Sequence, residues 1–197
     1  YIPYPVIGGF LAAASLAPQG LARFDSPWSK IGKRFVRLVV PYAVALVVTI
    51  VVSGAIRPWF DHESVSADPG LWQLMAHALL LQGIVGEESL SAGVWYIAID
   101  FQLYALLLLA LWLANRAMPQ NFLTAARTLL IALVLASLFY FNRDDSWDNW
   151  AVYFFGAYGL GATVYWNVQR GKAPAWLGLI VALAVAALVA VLADQLE

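Results

Sequence analysis

The stretch "GVWYIAIDFQLYALLLLALWLA", residues 93–114, decides the fold class. Its side chains are almost all apolar. A helix of this length, at 1.5 Å per residue, covers the roughly 30 Å of hydrocarbon in a bilayer. Further apolar blocks of the chain lie at 4–17, 36–56, 71–86, 123–141, 149–167 and 175–193. The sequence therefore predicts an all-α fold, a polytopic transmembrane helical bundle.

Composition supports this class of protein. The chain has 197 residues, of which 62% are hydrophobic and 12% charged, and its mean hydropathy is +0.75. Soluble domains usually carry about 25% charged residues. The net charge of −1 predicts no nucleic-acid partner. The chain has no cysteine, and its two histidines lack a metal-binding spacing, so no metal site is expected. The expected surroundings are membrane lipid.

Charge asymmetry between connectors predicts the topology. Basic residues concentrate in connectors 18–35, 115–122 and 168–174, which the positive-inside rule places in the cytoplasm. Connectors 57–70 and 142–148 are acidic and would face the outer side.

The block 71–86, "LWQLMAHALLLQGIVG", does not fit this topology as a full span. It is short and contains Gln73, His77 and Gln82. Block 36–56 leaves the membrane and block 93–114 re-enters it, so the segment between them returns to the same side. We expect about six spans plus one short re-entrant or interfacial helix. The alternative is a seventh full span, which would place Arg116 on the outer side.

The first half of the quoted stretch carries polar side chains. An Asp at the centre of a span costs about 2.5–3.5 kcal/mol, so such a residue faces protein or an aqueous cavity. Tyr96, Asp100 and Tyr104 share one helix face, and Trp95 and Gln102 lie on the adjoining face. Asp100 either contacts substrate or orients a catalytic group, or it forms a structural clamp with an Arg or with hydroxyls of a neighbouring helix.

A second group of polar residues lies at the start of the apolar block 36–56. Arg34 and Arg37 are three residues apart and therefore share a helix face at the cytoplasmic side. Arg binds phosphate bidentately, so the pair could hold the phosphates of an anionic cosubstrate. On spacing alone, ordinary anchoring to lipid headgroups is the favoured reading.

Other candidate groups have simpler interpretations. His77 is either a general base or a hydrogen-bonded interior residue, and the second is commoner. His62 is expected in solvent. The acidic stretch 141–150 could bind a ligand on the outer side, but a solvated loop is the favoured interpretation. Small residues permit close helix approach, which is the expected role of Gly156, Gly159 and Gly161.

Three stretches resemble, in the same order, motifs of the membrane-bound acyltransferase 3 family, which includes bacterial O-acetyltransferases of polysaccharides. "GGFLAA" (8–13) is similar to SGFLL, and "KRFVRLVVP" (33–41) to R-x-x-R followed by an apolar pair and Pro. "WYIAIDFQLY" (95–104) is similar to WSLSVEFQFY, with Asp100 at the Glu position. Gly8 replaces Ser, and one extra residue separates Arg37 from Pro41.

The resemblance implies an O-acyltransferase in the bacterial cytoplasmic (inner) membrane. Such enzymes move an acyl group, commonly acetyl from acetyl-CoA, to a hydroxyl of a carbohydrate, lipid-linked or other envelope acceptor. The cosubstrate is then acyl-CoA, whose phosphates Arg34 and Arg37 would hold. The supporting cavity would be formed by Trp95, Tyr96, Asp100, Gln102 and Tyr104.

The resemblance also implies that the catalytic His lies in a span before Tyr1, so no residue of the chain is assigned as the catalytic base. Residues 1–197 are accordingly expected to form a single, incomplete acyltransferase-like domain, with that span and C-terminal helices outside it. Two other functions stay open. One is a multispan transporter or exporter with an intramembrane acidic site. The other is a structural or regulatory membrane subunit.

Overall fold

Six α-helices make up the protein in a computed structural model that describes residues 3–56, 58–59, 69–90 and 93–169. The helices are α1 (Pro3–Leu16), α2 (Pro27–Ile56), α3 (Leu71–Ala78), α4 (Val94–Ala117), α5 (Phe122–Phe139) and α6 (Ala151–Gln169). Short 3-10 turns occur at Pro18–Gly20, Pro119–Asn121, Phe141–Arg143 and Asp145–Trp147. These described ranges contain no strand, and the all-α prediction is confirmed.

Three segments in the described ranges are long and apolar enough to cross a membrane, namely Pro27–Ile56, Val94–Ala117 and Pro119–Arg143. Such helices, in a chain of this composition, make it an integral membrane protein. Six spans are not confirmed. The block at 4–17 forms α1, which has only 14 residues. The block at 175–193, the basic residues of connector 168–174 and His62 lie outside the described residues.

Helix α6 corresponds to the block at 149–167 but is not among those three segments. Eleven of its residues are buried against the rest of the protein. A helix shielded by neighbouring helices can carry small and polar side chains that a lipid-facing helix could not. Its lower hydropathy is therefore consistent with an interior position.

The chain divides into two compact units. The first unit comprises Tyr1–Pro27 and Leu103–Glu197, and the second comprises Trp28–Gln102, so the boundary falls within α4. The single-domain assignment made from the sequence stays a prediction.

In the first unit, α1 and α6 approach each other backbone to backbone. A β-carbon added at Gly9 would overlap the carbonyl group of Tyr158, and one added at Gly161 would overlap the carbonyl group of Val6. Glycine is required on both helices because any larger residue would push them apart. Gly156 and Gly159 similarly contact side chains of α5, so the predicted packing role of these glycines is confirmed.

One end of this unit gathers residues from the basic connectors. The Trp166 indole Nε1 donates to the Ala17 carbonyl oxygen at 2.9 Å, which joins the ends of α6 and α1. Arg127 Nη2, near the start of α5, donates to Asn167 Oδ1 at 2.8 Å. Residues from or next to connectors 18–35, 115–122 and 168–174 thus lie at the same end, as the positive-inside topology requires.

The acidic connector 142–148 lies beside the start of α6. Ser137 Oγ and Asn142 Nδ2 both donate to the Tyr153 carbonyl oxygen, at 3.0 and 3.2 Å. The backbone N–H of Gly156 donates in turn to Ser137 Oγ at 2.8 Å. These bonds satisfy the buried hydroxyl of Ser137 and fix the connector to the helix.

In the second unit, α2 buries one stripe of side chains and exposes another. The packed stripe follows a helical repeat and consists of Phe35, Leu38, Val39, Tyr42, Leu46 and Ile50. The opposite face exposes Val36, Val40, Val44, Val47, Val48 and Val51. A valine-rich exposed face on a long apolar helix is typical of contact with lipid.

The helix α3 is too short to cross a bilayer. Its eight residues cover about 12 Å, and the chain turns immediately afterwards. Leu80, with a φ of 57°, reverses the direction while its side chain remains fully buried. Leu80 and Leu90 share a core with Tyr42 and Leu46, which lie in the apolar block of α2. This packing is what a re-entrant segment buried in protein would show.

Polar side chains of this segment form hydrogen bonds to the backbone of residues that follow α3. Gln73 Nε2 donates to the Glu88 carbonyl oxygen at 2.9 Å, and Gln82 Nε2 donates to the Val94 carbonyl oxygen at 3.4 Å. His77 accepts from the Leu90 backbone N–H. The three residues that argued against a full span on sequence grounds therefore hold Glu88, Leu90 and Val94 in place.

Candidate functional site

An ion pair joins the two groups of polar residues identified from the sequence. Arg34 Nη2, on α2, donates to Asp100 Oδ2, on α4, at 2.6 Å. The side chains are 35% and 16% exposed, so the pair is partly withdrawn from water. Next to each partner in sequence, the rings of Phe35 and Phe101 pack edge to face with centroids 5.5 Å apart. The structure thus brings residues 66 positions apart into one site.

The pair accounts for an acid in an otherwise apolar helix. Exposed ion pairs contribute about 0–1 kcal/mol, whereas breaking a buried pair costs about 3–5 kcal/mol because it leaves one charge unpaired. Arg34–Asp100 lies between these limits. The sequence left Asp100 either a role at the site or a clamp to a neighbouring helix, and the structure shows an arginine partner for the clamp. The same contact fixes the position of the Arg34 guanidinium. The clamp and the orienting role are therefore compatible.

Arg37 lies one turn beyond Arg34 on α2 and is exposed. The other described residues therefore leave its side chain uncovered. The role in phosphate binding assigned from the sequence to Arg34 and Arg37 stays a prediction.

The remaining predicted cavity residues lie along α4. The rings of Trp95 and Tyr96 pack edge to face with centroids 5.9 Å apart, and both side chains are half-buried. Gln102 is half-buried, while Tyr104 is only 7% exposed and belongs to the first unit. Trp95 contacts Tyr96 and Asp100 contacts Arg34, but the grouping of all five into one cavity stays a prediction.

His77 is held at both ring nitrogens. It is fully buried; Nε2 accepts from the Leu90 N–H at 3.2 Å, and Nδ1 lies 2.8 Å from the Gln73 carbonyl oxygen. A backbone N–H can only donate and a carbonyl can only accept, so the proton must be on Nδ1. This neutral tautomer has no lone pair available to a substrate. The interpretation of His77 as an interior hydrogen-bonded residue is confirmed.

Two further buried polar atoms were missed by the sequence reasoning. Tyr42 Oη and Gln82 Oε1 have no hydrogen-bond partner within the part of the chain that the structure describes. Leaving such an atom unsatisfied costs about 1–3 kcal/mol, so these atoms are places where water or a polar substrate atom would be held. The available signals were the position of Tyr42 after Pro41 in the Arg-rich motif and the presence of Gln82 in the apolar block 71–86.

The chain matches a known protein family. Residues 6–196 match the family described as an acyltransferase domain, acyltransferase 3. The chain belongs to this family. Comparison of the chain with curated proteins and with solved structures gives no match. The resemblance drawn from the three motifs is therefore confirmed across nearly the whole chain, and membership supports acyl transfer at a membrane.

Proposed function

We propose that this acyltransferase-family protein transfers an acyl group, commonly acetyl, from acyl-CoA to a hydroxyl of a carbohydrate or other envelope acceptor. We assign it to the bacterial cytoplasmic membrane, with the donor arriving from the cytoplasm. The observation that carries the proposal is the Arg34–Asp100 ion pair, because it links the Arg-rich motif to the aromatic and acidic motif of α4.

In this proposal Asp100 is a positioning residue. Its carboxylate holds Arg34 at a fixed place on α2, and Arg37 presents a second guanidinium one turn further along. A carboxylate repels an incoming anion, so Arg34 alone would be a weak phosphate site. The exposed Arg37 supplies the additional positive charge that makes binding of the donor phosphates favourable.

The reaction exchanges one acyl bond for another. The acceptor oxygen attacks the thioester carbonyl carbon, the carbon–sulfur bond breaks, and an oxygen ester forms. The proton of the acceptor hydroxyl ends on the sulfur of the released CoA thiol. Donors aimed at the carbonyl oxygen would stabilise the charge that develops there. His77 is not assigned as the base, because both of its ring nitrogens are occupied.

The proposal is tested by acyl transfer from radiolabelled acetyl-CoA with the full-length protein in proteoliposomes. Arg37→Gln is expected to raise the KM for acetyl-CoA about tenfold, as for the loss of one charge-assisted phosphate contact, with a smaller change in kcat. Lys33→Gln is the matched control, because Lys33 is an exposed cation of the same helix. It is expected to change KM less than about twofold, in line with surface charges.

Two results would count against the proposal. If Arg37→Gln and Asp100→Asn both transfer acetyl as the unaltered protein does, the site assignment is wrong. If the unaltered protein neither transfers nor hydrolyses acyl-CoA, the donor assignment is wrong. The alternative of a transporter or exporter is opposed by the family match.

A further inference from the structure

Two buried polar atoms in the second unit, Tyr42 Oη and Gln82 Oε1, have no hydrogen-bond partner among the described residues. Tyr42 is only 3% exposed and Gln82 is fully buried. Val94 connects the two residues. Its side chain belongs to the same apolar core as Tyr42, and its carbonyl oxygen accepts a hydrogen bond from Gln82 Nε2 at 3.4 Å. Both atoms therefore belong to one region, where α2 packs near the start of α4.

The bond to Val94 determines which atom of the Gln82 amide is left over. A carbonyl oxygen can only accept, so the amide nitrogen is the atom that meets Val94, and the unsatisfied oxygen is an acceptor. Tyr42 Oη carries a proton and can donate. The two side chains together offer one donor and one acceptor. A hydroxyl group complements both, because it accepts through its oxygen and donates through its proton.

Tyrosine and glutamine are unfavourable choices at these positions if packing alone is considered. An unsatisfied polar atom in a protein interior opposes folding, and phenylalanine would fill nearly the same space as Tyr42 without that cost. A site built to bind a substrate hydroxyl has the same property, because its buried polar groups are unpaired whenever that hydroxyl is missing. The donor and the acceptor therefore indicate a ligand.

Part of the segment that follows α3 packs on this region. Residues 79–90 form turns and irregular backbone, and Leu80, which shares the core of Tyr42, has a φ of 57° that is unfavourable for a residue with a β-carbon. Irregular segments open locally more readily than packed helices. The charge asymmetry of the connectors predicts that this segment enters from the outer side. A ligand would therefore reach Tyr42 and Gln82 from that side.

We propose that Tyr42 and Gln82 bind the hydroxyl group of the acyl acceptor, which enters from the outer side as the turns after α3 open. The hydroxyl oxygen accepts from the Tyr42 O–H, and the hydroxyl proton is donated to Gln82 Oε1. This inference rests on the proposed acyl transfer and assigns the acceptor side of that reaction. A neutral amide oxygen is too weak a base to remove the proton, so the two side chains bind and orient the hydroxyl.

Acetyl transfer from acetyl-CoA to glycerol, by the full-length protein in proteoliposomes, tests the proposal through two separate KM values. Tyr42→Phe is expected to raise the KM for glycerol about tenfold, as for one lost hydrogen bond. The KM for acetyl-CoA should change less than about twofold. Arg37→Gln should show the opposite pattern, because Arg37 is assigned to the donor.

Tyr140→Phe is the matched control for the loss of a phenolic hydroxyl. Tyr140 is 68% exposed and belongs to the first unit, so both KM values should stay within about twofold. The proposal is overturned if Tyr42→Phe leaves the KM for glycerol unchanged, or if it raises the KM for acetyl-CoA equally.

A second measurement needs no turnover. The chain has no cysteine, so Gln82→Cys introduces a single thiol into residues 1–197, and any cysteine elsewhere in the full-length protein is replaced by serine. A membrane-impermeant thiol reagent is then applied to right-side-out and to inside-out vesicles. We expect Gln82→Cys to react only from the outer side and to be protected by glycerol. Ser89→Cys, at an exposed position of the same segment, is the matched control and should react equally with and without glycerol.

The labelling separates this inference from the proposed reaction. If Gln82→Cys does not react from the outer side, or if glycerol does not protect it, the acceptor site is wrong even where acetyl transfer is intact. If labelling and protection are as expected but the unaltered protein neither transfers nor hydrolyses acetyl-CoA, the hydroxyl-binding site stands and only the proposed reaction is refuted.

Discussion

Arg34 Nη2 and Asp100 Oδ2 lie 2.6 Å apart, although the two residues come from different helices and different motifs. The family motif resembled by residues 95–104 has Glu at this position, and Asp reaches one methylene less far. The observed distance is that of a good charge-assisted hydrogen bond, so the shorter side chain still forms the pair. The carboxylate of Asp100 therefore reaches Arg34 from α4 without the additional methylene of Glu.

Asp100→Asn removes the negative charge but retains an acceptor for Arg34. We expect a loss of about 1–3 kcal/mol in the free energy of unfolding, between the values for exposed and buried pairs. The rate of acetyl transfer should decrease by more than the loss of folded protein accounts for, because Arg34 is then less well positioned. Thermal unfolding and acetyl transfer on the same preparation measure the two effects.

The exchanged variant Arg34→Asp with Asp100→Arg is the control for this prediction. It can re-form an ion pair and should recover stability relative to either single variant, but not transfer, since the cation is on the wrong helix. Full recovery of transfer would show that the pair has only a structural role.

His77→Ala tests the tautomer argument. The substitution leaves the Leu90 N–H and the Gln73 carbonyl buried without His77, at a cost of about 1–3 kcal/mol for each unsatisfied group. We expect a lower unfolding midpoint, with residual transfer proportional to the folded fraction. A variant that folds normally but has lost all transfer would contradict this and restore His77 as a candidate base.

Tyr42→Phe removes a buried hydroxyl that has no partner among the described residues. Deleting such a group is expected to leave the unfolding midpoint unchanged or to raise it, by up to about 1 kcal/mol in stability. If Tyr42 Oη meets the substrate, transfer should nevertheless decrease. Increased stability with reduced transfer is the expected result, and unchanged transfer would limit Tyr42 to a packing role.

Gly161→Ala should separate α1 from α6. The new β-carbon would overlap the carbonyl of Val6, and overpacking of this type costs about 1–3 kcal/mol. Gly54→Ala is the matched control, because a β-carbon there meets nothing and alanine favours a helix. Thermal unfolding of the two variants should therefore move in opposite directions, and equal shifts would refute the close approach.

The acidic connector provides a pH-dependent prediction. The backbone N–H of Ser146 donates to Asp144 Oδ1 at 2.9 Å, and this bond, together with the Ser146 side chain, lowers the pKa of Asp144. A carboxyl with a lowered pKa stabilises the folded turn at pH values above its ordinary pKa. That contribution is lost as the pH falls through the lowered pKa. In a carbon-13 NMR titration, Ser146→Ala should move the Asp144 midpoint upward, and no movement would contradict the assignment.

Much of this architecture was predictable from hydrophobic blocks and charge. The blocks at 93–114 and 123–141 correspond closely to α4 and α5, because long apolar runs have few alternatives to a helix. The start of α2 was placed too late, since Pro27 begins the helix well before the apolar run. Polar residues such as Lys30 and Lys33 are good helix formers that a hydropathy criterion does not detect.

The candidate site was only partly accessible to sequence reasoning. A charge in an apolar helix indicated that Asp100 needs a partner, but several arginines could have served. The choice of Arg34 depends on how α2 and α4 are brought together by the core around Tyr42 and Leu46, which no local pattern encodes.

The hydrogen bonds of Gln73, His77 and Gln82 to Glu88, Leu90 and Val94 have a practical consequence. In a bilayer core, irregular backbone must find its partners in protein, because neither lipid nor water supplies them. Here the partners are side chains of the same segment. The segment should therefore keep its conformation when lipid is exchanged for detergent. The choice of detergent should instead affect the exposed valine face of α2.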